Sequence, residues 1–565
     1  MKSKIACLCL ALAAGVSAYG ATTVTVGPKL DPETGNTLTD PETGMPLGDV
    51  DALTNWLKTA GNNTTISLGK GLYDLSPLTN APMYKADGSG YGAALLHMPY
   101  GTLNLEVVGA TGNPEDVVLF ANDSNFRILM MDKNPNYRSE LRNVTIAGGN
   151  ALGMHINTEA YRRGGGVFVN GSDKTVVSNC VFRGNRADKQ GGAIGGKGDT
   201  PLAKVIDCKI ISNTSSGDGG GIYNIALVEN CTVVSNTASG NGGGLANCGF
   251  VANTVLSYNC AQKGGGASNC ALSDCTNISH NVATSASDGG GLYSGSATNC
   301  VFRDNYASAA VGCSYLLKCD ISDIRTDAAV VDSCTFHDIS NIRTGIAVGN
   351  VSYPDGRDAP VLTNSGEYDR VVTLRDATII RNSLFTNCLV AKVSGNINKA
   401  VFQSEPSSGA ATIENCTIAD NQYVYLFRAG NGSTFSPSFV NCAIVGNTHD
   451  GTTARDVSSR QGAQYMTLTN CAYGVMADRV TQAEGVEDSG CIQKTRAECK
   501  FVGEGDNPYS LQLKSPLREQ GVVLDWMAEG TDLAGNPRLR DGKVDIGAYE
   551  CWEVELLRGL KIYFQ

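Results

Sequence analysis

Between residues 320 and 343 the chain gathers Asp320, Asp323, Arg325, Asp327, Asp332, His337, Asp338 and Arg343. Carboxylates, an imidazole and guanidinium groups in so short a stretch suit two chemistries on a sugar polymer. Paired carboxylates can hydrolyse a glycosidic bond. A histidine or arginine can instead abstract a proton beside a uronate whose acid is neutralised by arginine or a cation. Solvated loop charges explain the cluster equally well, so these eight residues are candidates for a lateral cleft and their catalytic assignment stays open. The other histidines, His97, His155, His280 and His449, are scattered, and no His-x-x-x-His or paired Cys-x-x-Cys supports a zinc site. No cofactor is expected, and calcium is the one ion left open. The segment Gly195-Gly196-Lys197-Gly198-Asp199 has the look of a calcium-binding Gly-rich turn, but it occurs once and reads more simply as a plain turn.

The elements that would carry such a cleft are legible as a repeat. Twelve cysteines follow Asn or Asp, Asn387-Cys388 and Asn415-Cys416 among them, as if at one repeat position, and aligning on that dipeptide gives Cys180, Cys208, Cys231, Thr254, Cys275 and Cys300, with steps of 28, 23, 23, 21 and 25 residues. Double glycines keep step at Gly165-Gly166, Gly191-Gly192, Gly220-Gly221, Gly243-Gly244, Gly265-Gly266 and Gly290-Gly291. A third marker is the Asn five residues beyond the Cys position, at Asn185, Asn213, Asn236, Asn259 and Asn305, recurring at Asn421 and Asn447. Short β-branched runs such as Cys231-Thr232-Val233-Val234 lie between the markers, and no 3.6-residue apolar period appears. A coil of this length made of short strands and turns is one rung of a parallel β-helix, right-handed by the crossover preference of parallel strands. Stacked rungs put equivalent residues about 4.8 Å apart, so the Cys and Asn positions should form ladders. Most thiols are therefore expected to be buried and reduced, with Cys313–Cys319, Cys491–Cys499 and Cys248 with Cys260 or Cys270 as the candidate disulfides.

The 565 residues are 42% hydrophobic and 18% charged, with 67 glycines, which suits a turn-dense globular β protein. A formal net charge of −11 gives no basis for gripping phosphate backbones, and no nucleic-acid partner is expected. Met1-Lys2-Ser3-Lys4, an apolar run from Ile5 to Val16 and small residues to Ala21 match a secretory signal peptide. That run is too short to span a bilayer and no membrane span is expected.

Along the chain the reading is 1–21 signal peptide, 22–49 N-terminal edge strand and loop, and 50–163 N-terminal cap with the first rungs. Repeat rungs follow at 164–305, rungs with charged insertions at 306–380, C-terminal rungs at 381–475, and an irregular segment with a C-terminal cap at 476–565. Leu53, Trp56, Leu57 and Ala60 lie at helical spacing after Asp49 or Asp51, which predicts a short capping helix at the open end. The fold expected is all-β, a right-handed parallel β-helix solenoid with an N-terminal capping helix and a C-terminal cap. Tyr223, Tyr293 and Tyr306 lie in the repeats, where a sugar-stacking stripe and ordinary packing are both open.

Gly191-Gly192-Ala193-Ile194 with Phe182-Arg183-Gly184-Asn185 and Phe302-Arg303-Asp304-Asn305 resembles the repeats of chlamydial polymorphic outer-membrane proteins. Thr531 to Arg538 and Val544 to Glu550 resemble the ending of bacterial secreted β-helix proteins of the choice-of-anchor Q kind, and Ile66 to Leu75 is similar to the start of pectin-lyase-like domains. The resemblance implies a β-helix outside the cell or on its surface. The chlamydial proteins end in a translocation barrel, for which the residues after Glu550 are too few, so export by that route is not expected. β-helices host lyases, hydrolases, adhesins and spikes alike, so the resemblance assigns no activity. No polygalacturonase-like Asp-Asp with a following Gly-His-Gly occurs. The leading expectation is a secreted or surface scaffold that binds extracellular glycans or surface macromolecules. The alternative is a polysaccharide lyase or glycoside hydrolase of the pectin-lyase-like class.

Overall fold

The computed structural model describes residues 21–552 apart from 79–93, 100–101, 103, 125, 133–135, 152–161, 199–200, 286–287, 323–325, 339–369, 391–399, 405–408, 430–434, 460–465 and 477–485. The signal-peptide reading falls outside them, as do Asp323, Arg325 and Arg343.

One rung shows how the sequence winds. Ile222–Tyr223 and Leu227–Glu229 lie in a wide sheet, Thr232–Val234 in a second sheet and Thr237–Ala238 in a short third one. Each pairs in parallel with its equivalents one rung back and one rung on, as Val205↔Val228↔Val251 and Ile210↔Val233↔Leu256 do. Among the described residues every pairing between the named strands is parallel, with 26, 16 and 5 strands in these three sheets and a further pair of Leu389–Val390 with Gln422–Tyr423, and the chain is the β-helix expected from the repeat. Inward residues stack into continuous files. On the second sheet Phe302, Ile321, Phe336, Phe385 and Ile418 follow one another, all fully buried, with the Phe336 and Phe385 rings stacked at 4.6 Å. Burial of each such side chain contributes on the order of 1.5–3 kcal/mol.

The corners explain the markers. Residues ahead of the ladder cysteines adopt left-handed backbone, φ 56° at Asp207, 53° at Asn230 and 52° at Asn299, a region Asn and Asp tolerate better than other side chains. The double glycines are demanded by close approach: a Cβ on Gly220 would sit 2.4 Å from the Gly243 carbonyl oxygen of the next rung.

The cysteine ladder is a hydrogen-bonded file. The Cys180 backbone N–H donates to Cys208 Sγ and that of Cys208 to Cys231 Sγ, both at 3.4 Å, while Cys231 N–H donates to Thr254 Oγ1 at 3.3 Å. Each thiol also donates back to a carbonyl, as Cys208 does to Ile206 at 3.2 Å. The position thus wants a small group with one donor and one acceptor, which is why Thr254 and, against Cys334 N–H, Ser383 can occupy it. The asparagine ladder runs beside it. The Asn236 backbone N–H and Nδ2 both donate to Asn259 Oδ1 at 3.0 Å, and Nδ2 also donates to the Ile210 carbonyl at 2.9 Å. Asn281 continues the file, one residue later than the predicted offset, before Asn305.

Two sequence expectations are corrected. Asn387-Cys388 belongs to the asparagine file, because Cys388 N–H donates to Asn421 Oδ1 at 2.9 Å. All eighteen described cysteines are free, so none of the candidate disulfides forms. Cys319 and Cys491 are themselves ladder members, paired to Cys334 and Cys471, while Cys260 lies on the short sheet. Rungs continue in the strands Ala310–Leu317, Asp320–Ile321, Thr326–Asp332 and Thr335–His337, with a step of 15 residues from Cys319 to Cys334.

At the head of the solenoid Thr22–Val26 pairs with Thr64–Leu68, and the helix Val50–Thr59 follows, capped by Asp49 accepting from Ala52 N–H at 2.9 Å. It buries Leu53 and Leu57 in the core, while Trp56 stays exposed. The C-terminal block lies along the side of the last rungs instead of over their end. Leu517, Ile546, Ala548 and Tyr549 cover the outward faces of Leu384, Ala419, Ala443 and Ala472. The terminal strand Val486–Ser489 keeps its own edge polar with exposed Glu487 and Asp488, which discourages end-to-end pairing.

Candidate functional site

The five described charged candidates fall on two sheets. Asp320 and His337 lie on the second sheet, in strands Asp320–Ile321 and Thr335–His337, with Asp338 just beyond. Asp327 and Asp332 belong to Thr326–Asp332 of the wide sheet. Stacking brings His337 Nε2 to 2.6 Å from Asp320 Oδ1, while Nδ1 lies 2.8 Å from Asp338 Oδ2 and Arg303 is 3.2 Å from the other Asp320 oxygen. The hydrogen bond to Asp320 is the main reason the His337 imidazole is pushed up to about 9, and the same bond holds the Asp320 carboxyl low. An imidazole between two carboxylates is an imidazolium at neutral pH, with both nitrogens donating, and offers no lone pair for proton abstraction.

Asp327 is buried and gripped by Arg375, with contacts of 2.8 Å from Nε and 2.6 Å from Nη2. Asp332 accepts from Arg381 at 2.7 Å and from Asn382 at 3.2 Å. Arg381 in turn lies 5.0 Å over the Trp526 ring, whose indole N–H donates to Glu414 at 2.7 Å. Trp526 thereby fastens the C-terminal block to the solenoid. The five described candidates thus sit in three separate ion-paired groups, and among the described residues no group of three or more His, Cys, Asp and Glu is disposed to hold a metal ion. A seam of about 370 Å³ does separate the solenoid from the C-terminal block, bordered by Lys318, Asp320, Asp506, Asp532 and Tyr549.

The tyrosines of the repeats are not open platforms. Tyr223 lies beneath the Arg163 guanidinium and Tyr293 beneath the Lys263 ammonium, each at 4.8 Å, and Tyr306 is half-buried. Among the described strands of the wide sheet, the exposed aromatic rings are Phe250 and Tyr315, 48% and 43% exposed. Both stand on one outward file of the wide sheet, Leu227, Phe250, Ala271, Ser296, Tyr315 and Val330. Sequence reading passed over them, although alternation around buried Val251 and Leu316 places their neighbours outside.

Residues 179–197, about one rung, match the model of the Chlamydia polymorphic membrane protein (Chlamydia_PMP) repeat. The chain is thus similar to those repeats over that rung. The crystal structure of pectate lyase Pel9A aligns over 94% of this chain and 97% of its own, at 11% identity and a TM-score of 0.24, values at which the assignment of fold rests on the strand pairing alone. No curated protein matches the chain. No described helix is long and apolar enough to cross a membrane.

Proposed function

We propose that the chain is a secreted or cell-surface scaffold that binds glycans or other surface macromolecules through the long flank of its solenoid. The observation that carries this reading is the state of the only histidine in the charged cluster: His337 is held between Asp320 and Asp338 as a cation and is spent on stacking two rungs together. Asp327 and Asp332 are likewise occupied by Arg375 and Arg381. A flank that keeps its charges for itself and turns exposed aromatic rings outward suits binding better than turnover. Display outside the cell is supported by the rung that matches a repeat of proteins named for a membrane. The acidic balance argues against nucleic acid as a partner.

The test incubates the full chain, with and without calcium, on uronate-rich and neutral polysaccharides. New reducing ends and unsaturated-uronate absorbance are followed, and retention on the same polymers is measured in parallel. Retention without product is expected. Unsaturated product would establish the lyase alternative and reducing ends alone the hydrolase, and either would overturn the scaffold reading.

A further inference from the structure

The outward file of the wide sheet dips between its two exposed rings. Phe250 and Tyr315 are three rungs apart, about 14 Å at the usual strand spacing, and between them stand only Ala271 and Ser296. The small floor continues sideways through Gly249, Gly295 and Ser314, which border a trough of about 380 Å³. Two features of the chain enforce the dip. At Gly295 the backbone φ is 142° and a Cβ would sit 2.2 Å from the Cys270 carbonyl oxygen, so no side chain can fill that point. Ser314 is an extra residue in the pairing of Leu292–Thr298 with Ala310–Leu317, a bulge that shifts the register and leaves Ser314 Oγ donating to the Gly295 carbonyl at 2.9 Å.

None of the described lining residues, among them Pro201, Asn247, Asn269 and Cys270, is charged, and the Phe250 and Tyr315 rings stand beyond the lining, at the two ends of the Ala271 and Ser296 floor. Asn269 Nδ2 donates to Asn247 Oδ1, so the remaining amide donor and acceptor groups of this pair edge the trough with the Ser314 hydroxyl. Leu202, 38% exposed, continues the apolar rim beside Pro201. Two aromatic faces, a floor too small to obstruct, and uncharged donors and acceptors along one wall fit a ligand with apolar ring faces and hydroxyl edges. Among the described lining residues an anionic polymer finds no cation, and neither does the phosphate of a nucleotide.

We propose that this trough binds a neutral oligosaccharide, its pyranose rings lying across the rungs between Phe250 and Tyr315. The proposal rests on the scaffold reading and gives it a site and a ligand class.

Calorimetric titration of the full chain tests it, with cellohexaose, maltohexaose, mannohexaose and hexagalacturonate as the probes. Phe250→Ala and Tyr315→Ala remove the platforms, and Ala271→Arg fills the floor; Phe250 and Tyr315 are surface residues, and thermal unfolding checks that all three variants fold. At least one neutral hexasaccharide should bind, with affinity lowered about tenfold or more in each Ala variant and abolished in Ala271→Arg. The proposal is overturned if no neutral probe binds, if all three variants bind as the parent does, or if hexagalacturonate competes at the trough. Sedimentation velocity covers the remaining occupant: self-association lost in Ala271→Arg would make the trough an interface between copies and overturn it as well. Polymer retention of the same variants separates the two readings. Variants that still bind polymer leave the scaffold standing without this site, whereas a parent chain that binds no polymer removes both.

Discussion

At the scale of single residues, the side chains that looked reactive are engaged in holding rungs together. His337 donates to one aspartate on its own rung and one on the rung before, and its folded pKa of about 9 lies above the ordinary 6.5. The stabilisation this gives is complete below pH 6.5 and is lost as the pH rises through 9, because deprotonation removes one donor from a carboxylate pair. NMR titration of the imidazole should show the raised midpoint, and Asp320→Asn should return it toward 6.5; an unshifted midpoint in the parent would contradict the geometry. The ladder thiols invite a similar comparison. Cys231→Ser keeps a donor and an acceptor and should be nearly silent, whereas Cys231→Ala leaves the buried Cys208 N–H without its acceptor and should cost about 1–3 kcal/mol in denaturant unfolding. The sequence showed most of this ladder through spacing, yet it misplaced Cys388. Asn387 has left-handed backbone, φ 52°, like every Asn ahead of a true ladder cysteine, so the local signature is identical and only the stacked partner Asn421 distinguishes the two files.

At the scale of elements, the rungs were readable, whereas the C-terminal block was readable as a separate capping unit but not in its place along the side of the solenoid. Periodicity announces a unit that repeats, and the N-terminal helix announces itself by Asp49 and the Leu53/Leu57 spacing. The tail has neither signal for that placement, since partners such as Asn382, Asn415 and Thr417 lie more than a hundred positions earlier. Arg538, fully buried, donates to Asn382 Oδ1 at 3.0 Å, to the Asn415 carbonyl at 3.2 Å and to Glu550 at 2.5 Å. It ties the tail to two successive rungs and closes the tail on itself. Arg538→Met should strand Glu550 in the interior and cost about 3–5 kcal/mol. Limited proteolysis should then release the tail while the solenoid stays resistant. Cleavage spread evenly over the chain would mean the two parts do not separate. The candidate cleft was unreadable for a related reason: charges close in sequence leave a β-helix rung on different faces, so Asp320 and Asp327 part company within one turn of the coil.

For the whole molecule, the thiols are the sharpest test of the arrangement. Eighteen free cysteines in a chain read as exported would be unusual for a disulfide scaffold, and here seventeen are buried with Cys491 alone half-exposed at the end of its file. Burial pushes thiols such as Cys208 and Cys442 well above their ordinary range, which keeps them protonated and slow to react. Folded protein should therefore label first at Cys491, and protein denatured without reductant should label at nearly all eighteen. A denatured count near zero would refute the free ladder. The asparagine file has one further consequence. Each amide hands its donors forward to the next, Asn213 to Asn236 to Asn259, and Asn447 passes the last pair to the carboxylate of Asp456. Because the Asn-to-Asn links are alike, loss or duplication of a whole coil within such a run leaves the links on either side intact. Inheritance can then lengthen or shorten the molecule in increments of about 4.8 Å, and copy number becomes a ruler for how far such a rod reaches.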